Sequence, residues 1–156
     1  MDEFAKDELL LREDDLIRGL LTAANEKNTE ETIIEIARKG KVLFKFAVHP
    51  LSEKEYNDCR DQATKYVISP KTGIRIPKET DATKFRSLLI YYAAREEDRE
   101  KLWNNKRVWE QLDVLSGPDL IDRVLFAGEK DAVVDKIDEI SGFKDLEDEK
   151  EKLAKN

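Results

Sequence analysis

The sequence predicts an α+β protein dominated by helices. Three observations carry that prediction. Apolar residues recur at three- and four-residue spacing through most of the chain. The spacing switches to two at Phe44, Phe46 and Val48. Two glycine-bearing turns, "RKGK" and "SPKTG", each sit between β-rich runs. The expected architecture is an N-terminal helix, one or two small antiparallel β-hairpins, and several amphipathic helices around a core.

Each element has its own reason. Leu9, Leu10, Leu16, Ile17, Leu20, Leu21 and Ala24 form a helical stripe opposite Glu13, Asp14 and Asp15. "NEKN" (25–28) ends that helix. Phe44, Phe46 and Val48 then alternate with Lys45 and Ala47, and Gly40 supplies a turn, so a hairpin is expected over 31–49. Pro50 closes it. Ser52 followed by Glu55 is a capping-box pattern that opens a helix through about Lys65. Val67, Ile68, Ile74 and Ile76 flank "SPKTG" as a second, smaller hairpin. Thr80 or Asp81 caps the next helix, which turns Phe85, Leu88, Leu89, Tyr92 and Ala93 inward, with "REEDREK" as its wet continuation. Pro118 marks another helix start. Val133, Val134, Ile137 and Ile140 line a helix over 129–141. Gly142 ends it left-handed, and Phe143 is expected to fold back near Ile137. Phe44, Phe46, Phe85, Leu88, Leu89, Tyr92, Leu125, Val133, Ile137 and Ile140 make the expected core. One globular domain is expected over 1–143, with the acidic helix 1–28 at its periphery. Residues 144–156 read as a flexible acidic, lysine-bearing tail.

Composition bounds the function. The chain is 40% charged with a net charge of −7. Residues 1–35 hold eleven acids and four bases, and residues 129–156 hold ten and six. The centre, 36–128, holds fourteen acids and eighteen bases. This balance argues against a dedicated nucleic-acid binder, which needs a concentrated basic face. The longest uncharged apolar run, "LLIYYAA" (88–94), falls far short of the roughly 20 residues of a membrane span. The N-terminus lacks the basic stretch of a signal peptide. A soluble, cytoplasmic protein is expected, and one cysteine permits no internal disulfide.

Catalytic chemistry is hard to place. The six glycines form no dinucleotide fingerprint and no P-loop. His49 is the only histidine and Cys59 the only cysteine, so the usual zinc clusters are excluded. His49 reads as a strand end, and Cys59 as a half-buried helix residue. Asp58 with Asp61, and Asp135 with Asp138, are helix neighbours without the spacing of a calcium loop. No catalytic residue, cofactor or metal is assigned. Trp103 and Trp109 bracket "NNKRV" and have two readings. They anchor a core, or with Arg107 they form a protein-binding patch, since Trp and Arg dominate interface hot spots. Trp103, Arg107, Trp109 and Phe126 are the candidate partner-binding residues.

A resemblance narrows the choice. "LSEKEYNDCRDQATKY" follows a β-rich run, "TDATKFRSLLIYYAARE" comes next, and "GPDLIDRVLFAGEKDAVVDKIDEISGF" closes the sequence of signals. In order and spacing these resemble the XkdN-like tail assembly chaperones of phages and prophages of Gram-positive bacteria, over roughly residues 30–143. The resemblance implies a non-catalytic protein that binds the tape measure protein, with the major tail protein as a further candidate partner. It implies action in the bacterial host cytoplasm and release before the virion is finished. It also implies a longer product made by ribosomal frameshifting, for which codons under "EKEKLAKN" are a suitable place. Neither nucleic acid nor membrane is an expected partner, and self-association stays open. Read from residues alone, a small non-enzymatic adaptor or regulatory oligomer of unknown partner is the alternative.

Overall fold

A computed structural model describes residues 3–143, with side chains placed for 12–27 and 30–143. The expected tail at 144–156 lies outside the described residues, as do the side chains of Leu9 and Leu10. The chain divides into two compact units, Met1–Glu30 and Glu31–Asn156. The first is one long helix, α1 (Glu3–Thr29). Its stripe residues Leu16, Ile17, Leu20 and Leu21 are exposed.

The second unit is helix-dominated α+β, as the pattern predicts. Strands β1 (Thr32–Arg38) and β2 (Lys41–Val48) form an antiparallel hairpin. Lys39 and Gly40 both have positive φ, which is the two-residue turn whose twist matches a hairpin. Ile34, Ile36, Phe46 and Val48 enter the core, with Phe44 packed at its margin. Ala47, expected on the opposite face, is also buried. The far edge of β2 explains it. Val48 bridges Ala94, and the Arg95 N–H donates to the Ala47 carbonyl at 2.8 Å.

Helix α2 (Glu53–Ala63) opens on the expected capping box. The Glu55 N–H donates to Ser52 Oγ at 3.2 Å, and the Ser52 N–H donates to Glu55 Oε1 at 3.1 Å. It ends two residues earlier than predicted, because Thr64 and Lys65 join a strand. Strands β3 (Thr64–Ile68) and β4 (Arg75–Thr80) make the second hairpin. Asp81 caps α3 (Ala82–Ala93), which buries Ser87, Leu88, Leu89, Ile90 and Ala93.

The segment after α3 differs from expectation. "REEDREK" is wet and largely helical, with Glu96, Glu97, Glu100 and Lys101 exposed, but it does not continue α3 directly. Ala94 and Arg95 are extended, held by their pairing with β2. A single turn, α4 (Glu96–Asp98), leads into a π-helical turn over Arg99–Trp103. The Asp98 carboxylate accepts the Ala47 N–H at 2.8 Å. The Arg99 guanidinium donates to the carbonyls of Tyr91, Tyr92 and Ala94, capping the open end of α3. Two charged residues of that run therefore serve the backbone.

Three helices complete the unit: α5 (Lys106–Leu112), α6 (Gly117–Val124) and α7 (Ala127–Ile140). Helices α6 and α7 pack on α3 through Leu120, Ile121, Val133 and Ile137, all buried. Burying each such side chain contributes about 1.5–3 kcal/mol. Gly142 has φ 97°, the left-handed stop expected of it. Phe143 packs edge-on against Tyr56 of α2, with ring centroids 5.2 Å apart. The Leu51 N–H donates to Ser141 Oγ at 3.0 Å, so the end of α7 is tied to the start of α2 on both sides of the glycine.

Candidate partner-binding surfaces

The four candidate residues do not form one patch. Trp103 is 2% exposed, its ring edge-on to Phe44 and Phe46 at 5.8 and 5.3 Å. It takes the core-anchor reading, because the π-helical turn points it under the first hairpin. Trp109 is half-buried on α5, and Arg107, two residues earlier and so on a different face of the helix, is exposed. Phe126 is 66% exposed at the N-terminus of α7.

Phe126 stands on a fixed base. Arg38 of β1 donates to Glu129 Oε1 at 2.6 Å, to Glu129 Oε2 at 3.0 Å and to the Val124 carbonyl at 2.7 Å. The same guanidinium lies 4.5 Å from the centre of the Phe126 ring. Glu129 also accepts the Phe126 N–H at 2.8 Å, satisfying one of the free donors that begin α7. The paired Arg38 holds the Glu129 carboxyl below its ordinary range, and Glu129 raises Arg38 in return. Beside this base runs a groove of about 320 Å³ between β1 and α7. Ile33, Ile36, Ala37, Ala132 and Val133 line it, with Lys136 at its rim.

The second hairpin also carries exposed apolar surface, which the sequence reading left without a role. Val67 pairs with Ile76, so both project from one face of the ribbon, and Ile74 follows two residues before Ile76. Val67 is 45%, Ile74 63% and Ile76 45% exposed. The other face is furnished. Tyr66 donates to Asp61 of α2, and the Arg75 guanidinium lies 4.4 Å from the Tyr66 ring. Thr64 and Thr80 bond across its base at 2.8 Å, and the Asp81 N–H donates to the Ala63 carbonyl at 2.9 Å. The ribbon is thus rooted through Tyr66 on one face, where Ile68 at its far end is 70% exposed, and has no such support on the other.

Reactive groups are placed for structure. Burial, with help from Glu55 and Asp58, pushes the Cys59 thiol up to about 11, away from the thiolate a nucleophile needs. His49 Nδ1 lies 2.9 Å from the Pro50 carbonyl. Of the paired carboxylates, Asp61 accepts from Tyr66 and Asp138 from Tyr56. Among the described residues no group of three metal-ligating side chains comes together, and no helix is long and apolar enough to cross a membrane.

Fold and surfaces together define a small helix-dominated α+β protein that presents apolar patches on firmly rooted elements. A family model described as phage XkdN-like tail assembly chaperone protein matches residues 17–155. The chain belongs to that family, and the resemblance read from its motifs holds. The match reaches beyond 30–143 into α1 and the C-terminal segment. No curated protein and no solved structure matches the chain.

Proposed function

We propose that this protein binds the tape measure protein during tail morphogenesis, without catalysing a reaction, and releases it before the virion is complete. The observation that carries the reading is membership of the tail assembly chaperone family over residues 17–155. The physical requirements of a holdase fit it. Such a protein needs charge for solubility and accessible apolar side chains for docking, without the deep burial that would prevent release. Phe126 on its Arg38–Glu129 base, the neighbouring β1–α7 groove and, on α5, the half-buried Trp109 and the exposed Arg107 are suited to such contact. Trp103 is not, since it is spent on the core. The major tail protein is a second candidate for the same surfaces. The working domain is the unit that begins at Glu31, with α1 as an accessory helix. Action takes place in the host cytoplasm, where tail subunits are made.

The test is co-expression with a candidate tape measure protein, with and without this chain, followed by pull-down. Soluble, co-purifying tape measure protein supports the reading. An insoluble partner with nothing co-eluting overturns it and favours a regulatory adaptor.

A further inference from the structure

We infer that the bare face of the β3–β4 ribbon is the docking site for an amphipathic helix of the partner, one whose apolar stripe is flanked by acidic side chains. The inference rests on the tape measure reading and adds to it the site and the chemistry of the bound segment.

Three observations converge. The first is that the ribbon lacks a layer. A two-stranded hairpin is marginal in water unless a helix or further strands cover an apolar face. Tyr66, Arg75 and Asp61 support one face of β3–β4, while Val67, Ile74 and Ile76 stand open in a row on the other. The second is spacing. Side chains two apart on a strand sit about 6.8 Å from each other, close to the roughly 6 Å rise between i and i+4 on a helix. A helical stripe can therefore lie along Ile74 and Ile76 and reach Val67 across the pair. The third is charge. Residues 64–80 hold four bases, Lys65, Lys71, Arg75 and Lys78, against the single acid Glu79, in a chain whose net charge is −7. Lys65, Lys71 and Lys78 are exposed, Lys65 in a 3.7 Å pair with Glu79 across the ribbon, while Arg75 lies on the opposite face over Tyr66. A concentration of cations around an apolar row complements a helix with acidic flanks and disfavours a basic one.

The experiment uses the full chain and overlapping peptides of about 30 residues that tile the tape measure protein. Binding is read by fluorescence anisotropy at low and moderate salt. The expected binders are peptides with an apolar stripe and acidic flanks. Ile74→Ser with Ile76→Ser weakens them at least tenfold. Lys65→Glu with Lys71→Glu and Lys78→Glu does the same and removes the salt dependence. Leu115→Ser, an exposed change between α5 and α6, leaves binding unaltered. Thermal melts confirm that each variant folds; the triple charge reversal alters exposed side chains and keeps the test decisive if the double serine variant melts early. Wild-type affinity in folded variants overturns the docking site while the tape measure reading stands. So does selection of basic or strand-forming peptides. A fall in oligomeric mass of the variants, without loss of peptide binding, overturns it in favour of a second copy on this face. If neither peptides nor full-length tape measure protein bind the wild type, the underlying reading falls, and this inference with it.

Discussion

The indole Nε1 of Trp109 donates a 2.7 Å hydrogen bond to the backbone carbonyl of Trp103. The two tryptophans are therefore parts of one joint. The inner ring fills the space under Phe44 and Phe46, and the outer ring fastens α5 to the π-helical turn that carries the inner one.

Truncating the inner ring removes a large part of the core. Trp103→Ala is expected to destabilise the protein by about 3–5 kcal/mol. Trp103→Phe should cost much less, about 1 kcal/mol, because the buried Trp103 Nε1 has no hydrogen-bond partner to lose. Urea unfolding separates the two. A Trp103→Ala midpoint equal to wild type would mean the ring is not part of the core.

Lys130 is the second test of the interior. It is 2% exposed, and its ammonium spends its three donors on the Thr83 carbonyl (3.2 Å), Ser87 Oγ (2.7 Å) and Asp122 Oδ1 (2.9 Å). It thereby joins α7 to α3 and α6. Lys130→Ala leaves both a void and unpaired acceptors, and about 3 kcal/mol of destabilisation is expected. Lys130→Met keeps the stem and should cost less, since Asp122 is half exposed and can rehydrate. Thermal melts of both variants check the order. Equal losses would show that the ammonium, not the stem, carries the joint.

Local signals were legible and distant ones were not. Ser52 with Glu55, Asp81 and Gly142 act within a few residues, so their patterns could be read directly. The hairpins were legible because Gly40 and Gly73 both take positive φ inside turns. The break after Ala93 was not, because it is set by pairing with Val48, forty-six residues earlier. Nor was the use of Arg99 and Asp98, which reads as ordinary surface charge until α3 needs its carbonyls capped. Lys130 could have been found. It lies three residues before Val133 and seven before Ile137, on the buried stripe, and only its charge argued for solvent. The exposure of Val67, Ile74 and Ile76 was not legible either. Their apolar spacing predicts a strand correctly but does not say whether anything covers it.

Gly117 tests how tightly α6 is seated. A Cβ there would fall well inside the van der Waals radius of the Tyr91 ring and crowd Asn104 Oδ1. Tyr91 has little room to yield, because its hydroxyl donates to that same Asn104 oxygen at 3.0 Å. Gly117→Ala is expected to destabilise by about 1–3 kcal/mol, despite alanine's better helix propensity. Gly128, also in a helix, has open space at its Cβ. Gly128→Ala should be neutral or slightly stabilising, so the pair separates packing from propensity in one set of melts.

The Arg38–Glu129 pair predicts a pH dependence with a definite sign. The Glu129 carboxyl titrates below the ordinary glutamate value in the folded protein, chiefly because Arg38 hydrogen-bonds to it. A depressed carboxyl contributes stability that is fully present above its unfolded pKa and is lost as pH falls through the folded one. Glu129→Gln keeps an acceptor for the Phe126 N–H but removes the charge, so it isolates the ionic part. The variant is expected to be less stable than wild type at pH 7. The gap should begin to close below about pH 4.5 and vanish once pH is below the folded value. Urea unfolding of both proteins at pH 7, 4.5 and 3 measures it. A gap that stays constant across that range would place the contribution in side-chain shape rather than charge. Phe126 would then stand on a steric base, and its presentation would not change with acidity.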